Sequence, residues 1–295
     1  MAASTAVEAW RGRGRILPLA GYDVFVVDVP ADDEQADPLL VIHGFPTSSF
    51  DFRHGVDRLA RHRRVLLVDL VGFGLSAKPD RAYTMDLQAD VVAAATDDAG
   101  LSSVALLTHD MGDTVGGELL ARQLEGRWPV EVTRRVLTNG SIYIEMAHLS
   151  SGQELLLSLP DARLPAGVGA NADSMAESLA ATFSPASHVS TDELAAQWEL
   201  ISHDEGQRLL PRLVRYIEER RRRQDRFTGA IESHPSPLTV IWGADDPIAV
   251  VGMADRLGAA RPDAPVHILD RVGHFPMIEA ADLFYDLVEA GLTPS

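Results

Sequence analysis

Three short segments carry residue types able to act together chemically. V104-A-L-L-T-H-D-M-G-D-T-V-G116 is an apolar run that breaks at Thr108-His109-Asp110-Met111-Gly112 and resumes with helical spacing. A sharp turn from strand to helix pushes one side chain into a strained position above the strand end. The residues two before and two after it must then be small. Thr108 and Gly112 meet that rule, so Asp110 stands where such a turn usually presents a serine. A carboxylate gains nothing by attacking an ester carbonyl, since the product would be an anhydride. It can displace a leaving group from an sp³ carbon, forming an alkyl ester that water then hydrolyses. The competing reading is a helix N-cap, where an aspartate is favoured as a side-chain acceptor.

Two further segments supply partners. V240-I-W-G-A-D-D-P-I248 is an apolar strand followed by a pair of aspartates at a turn, and R271-V-G-H-F-P-M277 places a histidine just after the last expected strand. In the order nucleophile, acid, histidine, His274 would activate the hydrolytic water. Asp246, with Asp245 as the alternative, would orient the imidazole and stabilise its protonated form. L40-V-I-H-G-F-P-T-S-S49 follows another buried strand. A loop placed there can donate one backbone N–H to an oxyanion, with the residue after the nucleophile donating the second. Phe45 and Met111 are the expected donors, and His43 is expected to be structural.

The elements that position these loops can be read from the apolar pattern. Tyr22–Val29, Pro38–His43, Arg64–Asp69, Val104–Thr108, Val132–Leu137, Leu238–Trp242 and Val266–Leu269 read as strands. Several are short continuous apolar runs, as expected for strands buried on both faces. Helical spacing covers Asp51–Arg61, Met85–Ala99, Gly112–Gln123, Val251–Ala259 and Leu283–Ala290. Strands alternating with helices imply a mostly parallel sheet covered on both sides. The alternation fails over residues 142–232, where apolar positions recur only at helical spacing. There Ser190-Thr-Asp-Glu193 reads as a capping box opening a helix to about His203. A second helix starts near Pro211 and carries Leu213, Tyr216 and Ile217. The arginines 220–223 on it read as a solvated face. The expected organisation is a core over 1–141, a helical insertion over 142–232 and the rest of the core over 233–295.

Composition narrows the class. The 295 residues carry a net charge of −17, which argues against nucleic acid and anionic membrane surfaces as partners. With no cysteine, disulfides and thiol chemistry are excluded. The first ten residues lack the basic-then-apolar pattern of a signal peptide, and no apolar run approaches the roughly 20 residues that span a bilayer. A cytoplasmic protein is the expectation. The histidines are scattered and no glycine-rich phosphate loop follows a strand, so no metal or cofactor is expected.

Together the segments H-G-F-P-T-S-S (43–49), V-D-L-V-G-F-G-L-S-A-K-P (68–79), T-H-D-M-G-D (108–113), I-W-G-A-D-D-P (241–247) and V-G-H-F-P (272–276) resemble the α/β-hydrolase superfamily. The resemblance is to its epoxide hydrolase and haloalkane dehalogenase branch. It runs from about Tyr22 to Glu289 and implies a mostly parallel eight-stranded sheet flanked by helices, with an inserted helical cap. H-D-M-G-D-T-V-G-G-E-L-L-A-R (109–122), L-T-N-G-S-I (137–142) and Y-I-E-E-R-R-R-R (216–223) are similar to the mesoderm-specific transcript group. The departures bear on substrate. Both enzyme groups usually carry Trp after the nucleophile, and haloalkane dehalogenases use it with an Asn before the loop proline to hold the halide. Here those positions are Met111 and Phe45, which argues against dehalogenation. Epoxide hydrolases resembling this chain use cap tyrosines to protonate the leaving oxygen, and the insertion offers Tyr216 and Tyr143. The resemblance therefore implies an epoxide hydrolase acting on a small apolar organic substrate with water, with a homodimer left open. The alternatives are a haloalkane dehalogenase, or a non-catalytic ligand-binding protein on the same fold.

Overall fold

The structure is a computed structural model that describes residues 4–33 and 36–293, so the outer limits expected at residues 1 and 295 lie outside the described residues. Its centre is one eight-stranded sheet of β1 (Gly14–Leu19), β2 (Tyr22–Val29), β3 (Leu39–Ile42), β4 (Val65–Val68), β5 (Ser103–His109), β6 (Glu131–Thr138), β7 (Leu238–Gly243) and β8 (Val266–Leu269). The strands lie in the order β1-β2-β4-β3-β5-β6-β7-β8. Only the β1–β2 and β2–β4 pairs are antiparallel. β3, β4 and β7 are buried along their whole length, as their unbroken apolar sequences require. Strand order reverses around β3, which has β4 on one side and β5 on the other. The loops leaving β3 and β5 therefore emerge side by side, the usual place for a site in such a sheet.

Helices α1 (Thr5–Arg11), α2 (Val56–Leu59), α3 (Met85–Asp98) and α4 (Met111–Leu124) precede β6. Between β6 and β7 come α5 (Ser151–Ser158), α6 (Ala172–Ala180), α7 (Thr191–Ser202), a 3₁₀ segment (His203–Leu209), α8 (Leu210–Leu213) and α9 (Tyr216–Ser233), with no strand among the described residues. The chain closes with α10 (Gly252–Ala260), α11 (Pro276–Glu279) and α12 (Ala281–Leu292). No helix of the described residues is long and apolar enough to cross a membrane.

Four local expectations change. β1 carried no readable period, because it is an edge strand with Pro18 inside it and Ile16 half exposed. The helix expected over 51–61 is a 3₁₀ turn at Ser49–Phe52 followed by the short α2. Between them Gly55 lies under the Tyr285 ring, where a Cβ would come within 2.1 Å of it. Ser190 caps α7 through its hydroxyl, which accepts from Glu193 N, but the Glu193 carboxylate turns instead to Arg53 and Gln197.

The arginine run is the fourth correction. α9 starts at Tyr216, so residues 216, 220, 223 and 227 share one face, and that face lies on α4. Arg220 is buried, and only Arg221 and Arg222 are exposed. Arg223 and Arg226 meet Glu118 of α4, whose side chain is wholly buried and also accepts from Arg122. The two helices approach so closely that a Cβ at Gly117 would stand 2.7 Å from the Phe227 carbonyl oxygen. Gly229, two residues further along α9, faces open space. Gly117→Ala should therefore cost about 1–3 kcal/mol through overpacking. Gly229→Ala should add about 0.5–1 kcal/mol by restricting the unfolded chain. Urea unfolding of the two variants checks both signs, and equal midpoints would contradict the close approach of α9 to α4.

Candidate active site

The turn after β5 is the strained element. Asp110 has φ 49° and ψ −113°, while the neighbouring residues return to strand and helix. Its side chain makes no capping bond to α4, which removes the N-cap reading. Instead Oδ2 accepts a 2.9 Å hydrogen bond from the Phe45 backbone N–H, in the loop after β3. Met111, the first residue of α4, is buried beside it. His43 is occupied structurally: Nε2 accepts from Leu70 N at 3.0 Å, and Nδ1 lies 2.8 Å from the Gly44 carbonyl.

Asp246, rather than Asp245, meets the imidazole. His274 Nδ1 lies 2.8 Å from Asp246 Oδ2, and both side chains are essentially buried. The second Asp246 oxygen accepts from the backbone N–H groups of Ile248 and Ala249 at 2.8 and 3.0 Å. Asp245 is exposed and accepts from the Ser184 hydroxyl. Asn139, at the end of β6, donates to Asp246 Oδ2 at 2.7 Å and accepts from Gly243 N at 3.1 Å. The His274 loop is fixed by Glu279, whose carboxylate accepts from Gly273 N and Phe275 N at 2.9 and 3.0 Å and from Ser184 N at 2.8 Å. Burial alone would lower the His274 imidazole. The charge and hydrogen bond of Asp246, with the charges of Asp110 and Glu279, instead raise it to about 9.

Asp110 and His274 face a cavity of about 540 Å³ between the sheet edge and the inserted helices. Leu155, Leu156, Met175, Leu179, Leu210 and Ile248 give it an apolar lining, and the two facing residues are its only ionisable ones. A second hollow of about 660 Å³, beside Arg15, Lys78 and His203, touches none of the triad positions. Among the described residues no group of three or more His, Asp or Glu side chains is arranged to hold a metal ion.

The two tyrosines part company here. Tyr143 is taken out of the site: its hydroxyl donates to Glu232 at 2.6 Å, Arg256 lies over its ring, and it does not line the cavity. Tyr216 is buried one layer behind the wall. Its ring packs on Phe45 with centroids 5.6 Å apart. Burial and the Asp110 charge push its phenol upward, opposed by Arg220 and by a hydrogen bond from Gln153. Gln153 does line the cavity. Its Oε1 is committed to Ser150 N at 2.9 Å in the capping box of α5, which leaves the amide N–H₂ as the free end. Ser150-Ser-Gly-Gln153 carries that capping signature in the sequence. The signal for Asn139 is a polar residue directly after a buried strand, inside L-T-N-G-S-I.

The model of the Alpha/beta hydrolase family matches residues 39–287. The chain belongs to that family. This α/β hydrolase is 40% identical over 281 residues to LipZ of Mycobacterium tuberculosis, whose name carries only the word hydrolase, with 94% of each chain covered. It is 31% identical over 288 residues to the mesoderm-specific transcript homolog protein of Homo sapiens, covering 94% of this chain and 84% of that one. Among solved structures, the haloalkane dehalogenase DbeA-M1 loop variant from Bradyrhizobium elkanii superposes with TM-score 0.73 at 19% identity. That match covers 94% and 95% of the two chains and shows the shared fold.

The His274–Asp246 pair has a pH signature. The folded value of about 9 lies above the ordinary imidazole value of about 6.5. The pair therefore stabilises the hydrolase fully below about pH 6.5, and that contribution disappears as pH rises through about 9. Asp246→Asn should lower the His274 value by about 1–3 units and flatten the stability profile over that window. An ¹⁵N-imidazole titration reads the first effect and urea midpoints across pH read the second. An unchanged titration in the variant would mean that the carboxylate is not what holds the proton.

Proposed function

We propose that this α/β hydrolase opens epoxides to diols through an alkyl ester on Asp110. The observation that carries the reading is the Asp110 carboxylate at a strained turn. It makes no capping bond, is oriented by the Phe45 N–H, and faces a largely apolar cavity beside His274, with Gln153 among its polar lining residues. In the first step an Asp110 oxygen attacks a ring carbon, the ring C–O bond breaks, and its electron pair stays on the ring oxygen. That oxygen accepts a hydrogen bond from the Gln153 amide N–H₂ and takes its proton from water, and the hydroxide so formed takes the proton of resting His274. In the second step the now neutral His274 takes a proton from water. The hydroxide attacks the ester carbonyl, whose oxyanion the Phe45 and Met111 N–H groups receive, the diol leaves with the proton returned by His274, and His274 recovers one from the new Asp110 carboxyl.

A His274 raised to about 9 is a poor base in the resting enzyme, but one cause of the rise is the Asp110 charge. Alkylation removes that charge, so His274 becomes a better proton acceptor only once the ester exists. The electrostatics thus favour carboxylate attack first and water activation second. A halide would meet no tryptophan N–H beside the nucleophile, where Met111 stands, which disfavours dehalogenation.

The His274→Gln variant should be alkylated and then stall. With 1,2-epoxydecane, intact mass spectrometry should show an adduct of the whole epoxide mass, mapped by digestion to the Asp110 peptide. With 1-bromodecane a dehalogenase would show the alkyl mass less bromide. Bromide release with no epoxide adduct would favour that alternative, and no adduct from any epoxide turned over by the wild type would exclude the two-step route. A single turnover in ¹⁸O-water separates nucleophile from general base: the first diol should be unlabelled, with ¹⁸O left in Asp110. Asp110→Asn should abolish turnover, since an amide is a far weaker nucleophile.

A further inference from the structure

We propose that Arg220 is a positioning residue for the chemistry at Asp110, holding that turn and Tyr216 from the helix that covers α4; this rests on the reading of Asp110 as the nucleophile. The side chain is 1% exposed, which is exceptional for a guanidinium. Its Nε donates to Thr114 Oγ1 at 2.8 Å and its Nη2 to the Asp110 carbonyl oxygen at 3.4 Å. Its guanidinium carbon lies 5.0 Å from the centre of the Tyr216 ring. Among the described residues no carboxylate stands within ion-pair distance of it. The carboxyl that its charge acts on is that of Asp113 in the same turn.

A buried cation without an ion-pair partner is costly unless its N–H groups are met by oxygens. Here the Thr114 hydroxyl and the Asp110 carbonyl meet them. Arg223 and Arg226 also tie α9 to α4 through Glu118, and Arg223 reaches Asp86 of α3. What Arg220 adds is specific to the turn. It pins the carbonyl of Asp110, which limits rotation of the Asp110–Met111 peptide, and its guanidinium lies against the Tyr216 ring behind the Gln153 amide. That peptide carries the Met111 N–H assigned to the oxyanion of the second step as well as the backbone of the attacking carboxylate. Loss of Arg220 should therefore slow both steps.

Arg220→Met and Arg220→Lys, each alone and in the His274→Gln background, test this with 1,2-epoxydecane as the probe. Adduct formation should slow about 10²-fold in the methionine variant, the scale of a misplaced reacting group. The lysine variant should recover at least about tenfold of it, and ester hydrolysis in the single methionine variant should slow as well. Unchanged adduct formation, or no recovery with lysine, would overturn the proposal. Hydrogen exchange of the 108–116 peptide needs no substrate. It should quicken about tenfold in Arg220→Met and stay near wild type in Arg220→Lys, and unchanged exchange overturns the proposal whether or not any epoxide is accepted. Absence of an adduct with Arg220 intact would count against the nucleophile reading itself. An unchanged rate in the double variant would count against Arg220 alone.

Discussion

Asp110 sits at positive φ, a conformation that costs a side-chain-bearing residue about 1–3 kcal/mol. It persists because three backbones meet around it where two of them carry no Cβ. A methyl group at Gly112 would lie 2.3 Å from the Ile42 carbonyl oxygen, so α4 can start against β3 only with glycine there. One at Gly44 would lie 2.6 Å from the Asp110 Cβ, so the loop after β3 reaches the carboxylate only with glycine there as well. The sheet order makes this meeting unavoidable, since β3 and β5 are neighbours in parallel register with Ile42 beside Thr108. Register, the two glycines and the strained turn are thus one constraint. The Phe45 N–H pointing at the carboxylate is its chemical consequence.

The charges around that turn follow from burial. Asp113, one helical turn further on, is fully buried, and neither oxygen finds a hydrogen-bond partner of ordinary geometry. Burial drives it well above the usual carboxylate range, the Asp110 charge adds to the rise, and Thr108 and Arg220 oppose it. A protonated Asp113 leaves Asp110 without a second anion directly beside it. Asp246 keeps its negative end satisfied by two backbone N–H groups and Asn139. Its charge is therefore directed at His274 without being left bare. His109 stays neutral against the imidazole loop, lowered by burial, with Nε2 at 2.8 Å from the His274 carbonyl oxygen. The result is one mobile proton, on His274, between two fixed carboxylates.

Much of this was legible because it is local. Asp110 and Asp246 follow the buried strands β5 and β7, His274 follows the edge strand β8, and an apolar run announces the polar residues that end it. Phe45 and Met111 enter through their backbones, so their side chains did not matter to the inference. What the sequence hid depends on which face of a helix meets what. Four consecutive arginines look alike in a string, but the start of α9 at Tyr216 turns Arg220 inward and Arg221 outward. Tyr143 and Tyr216 were equal candidates by type, and only the tertiary path gave one to Glu232 and the other to Phe45 and Gln153. Asn139 and Gln153 carry no reactive group, and amides are recognised by what they touch.

The inserted helices divide by what they bind. α9 is tied to α4 through Glu118, a wholly buried carboxylate shared by Arg122, Arg223 and Arg226. Exposed ion pairs contribute little singly, but removing a partner from a buried carboxylate leaves an uncompensated charge, which is strongly destabilising. α5 and α6 have no such tie to the nucleophile helix. They offer the cavity Leu155, Leu156, Met175 and Leu179, with Leu155 itself largely exposed at the rim. Val168 is half exposed nearby, between two glycines at positive φ. The helix that touches the reacting turn is thus held by buried charge, while α5 and α6 present mostly apolar side chains to the cavity. Apolar contacts are non-directional and tolerate volume-conserving exchange, whereas a buried ionic network tolerates little. The roof can therefore change which molecules fit with little strain on the floor, and the geometry of Asp110 stays set by elements that the substrate does not touch.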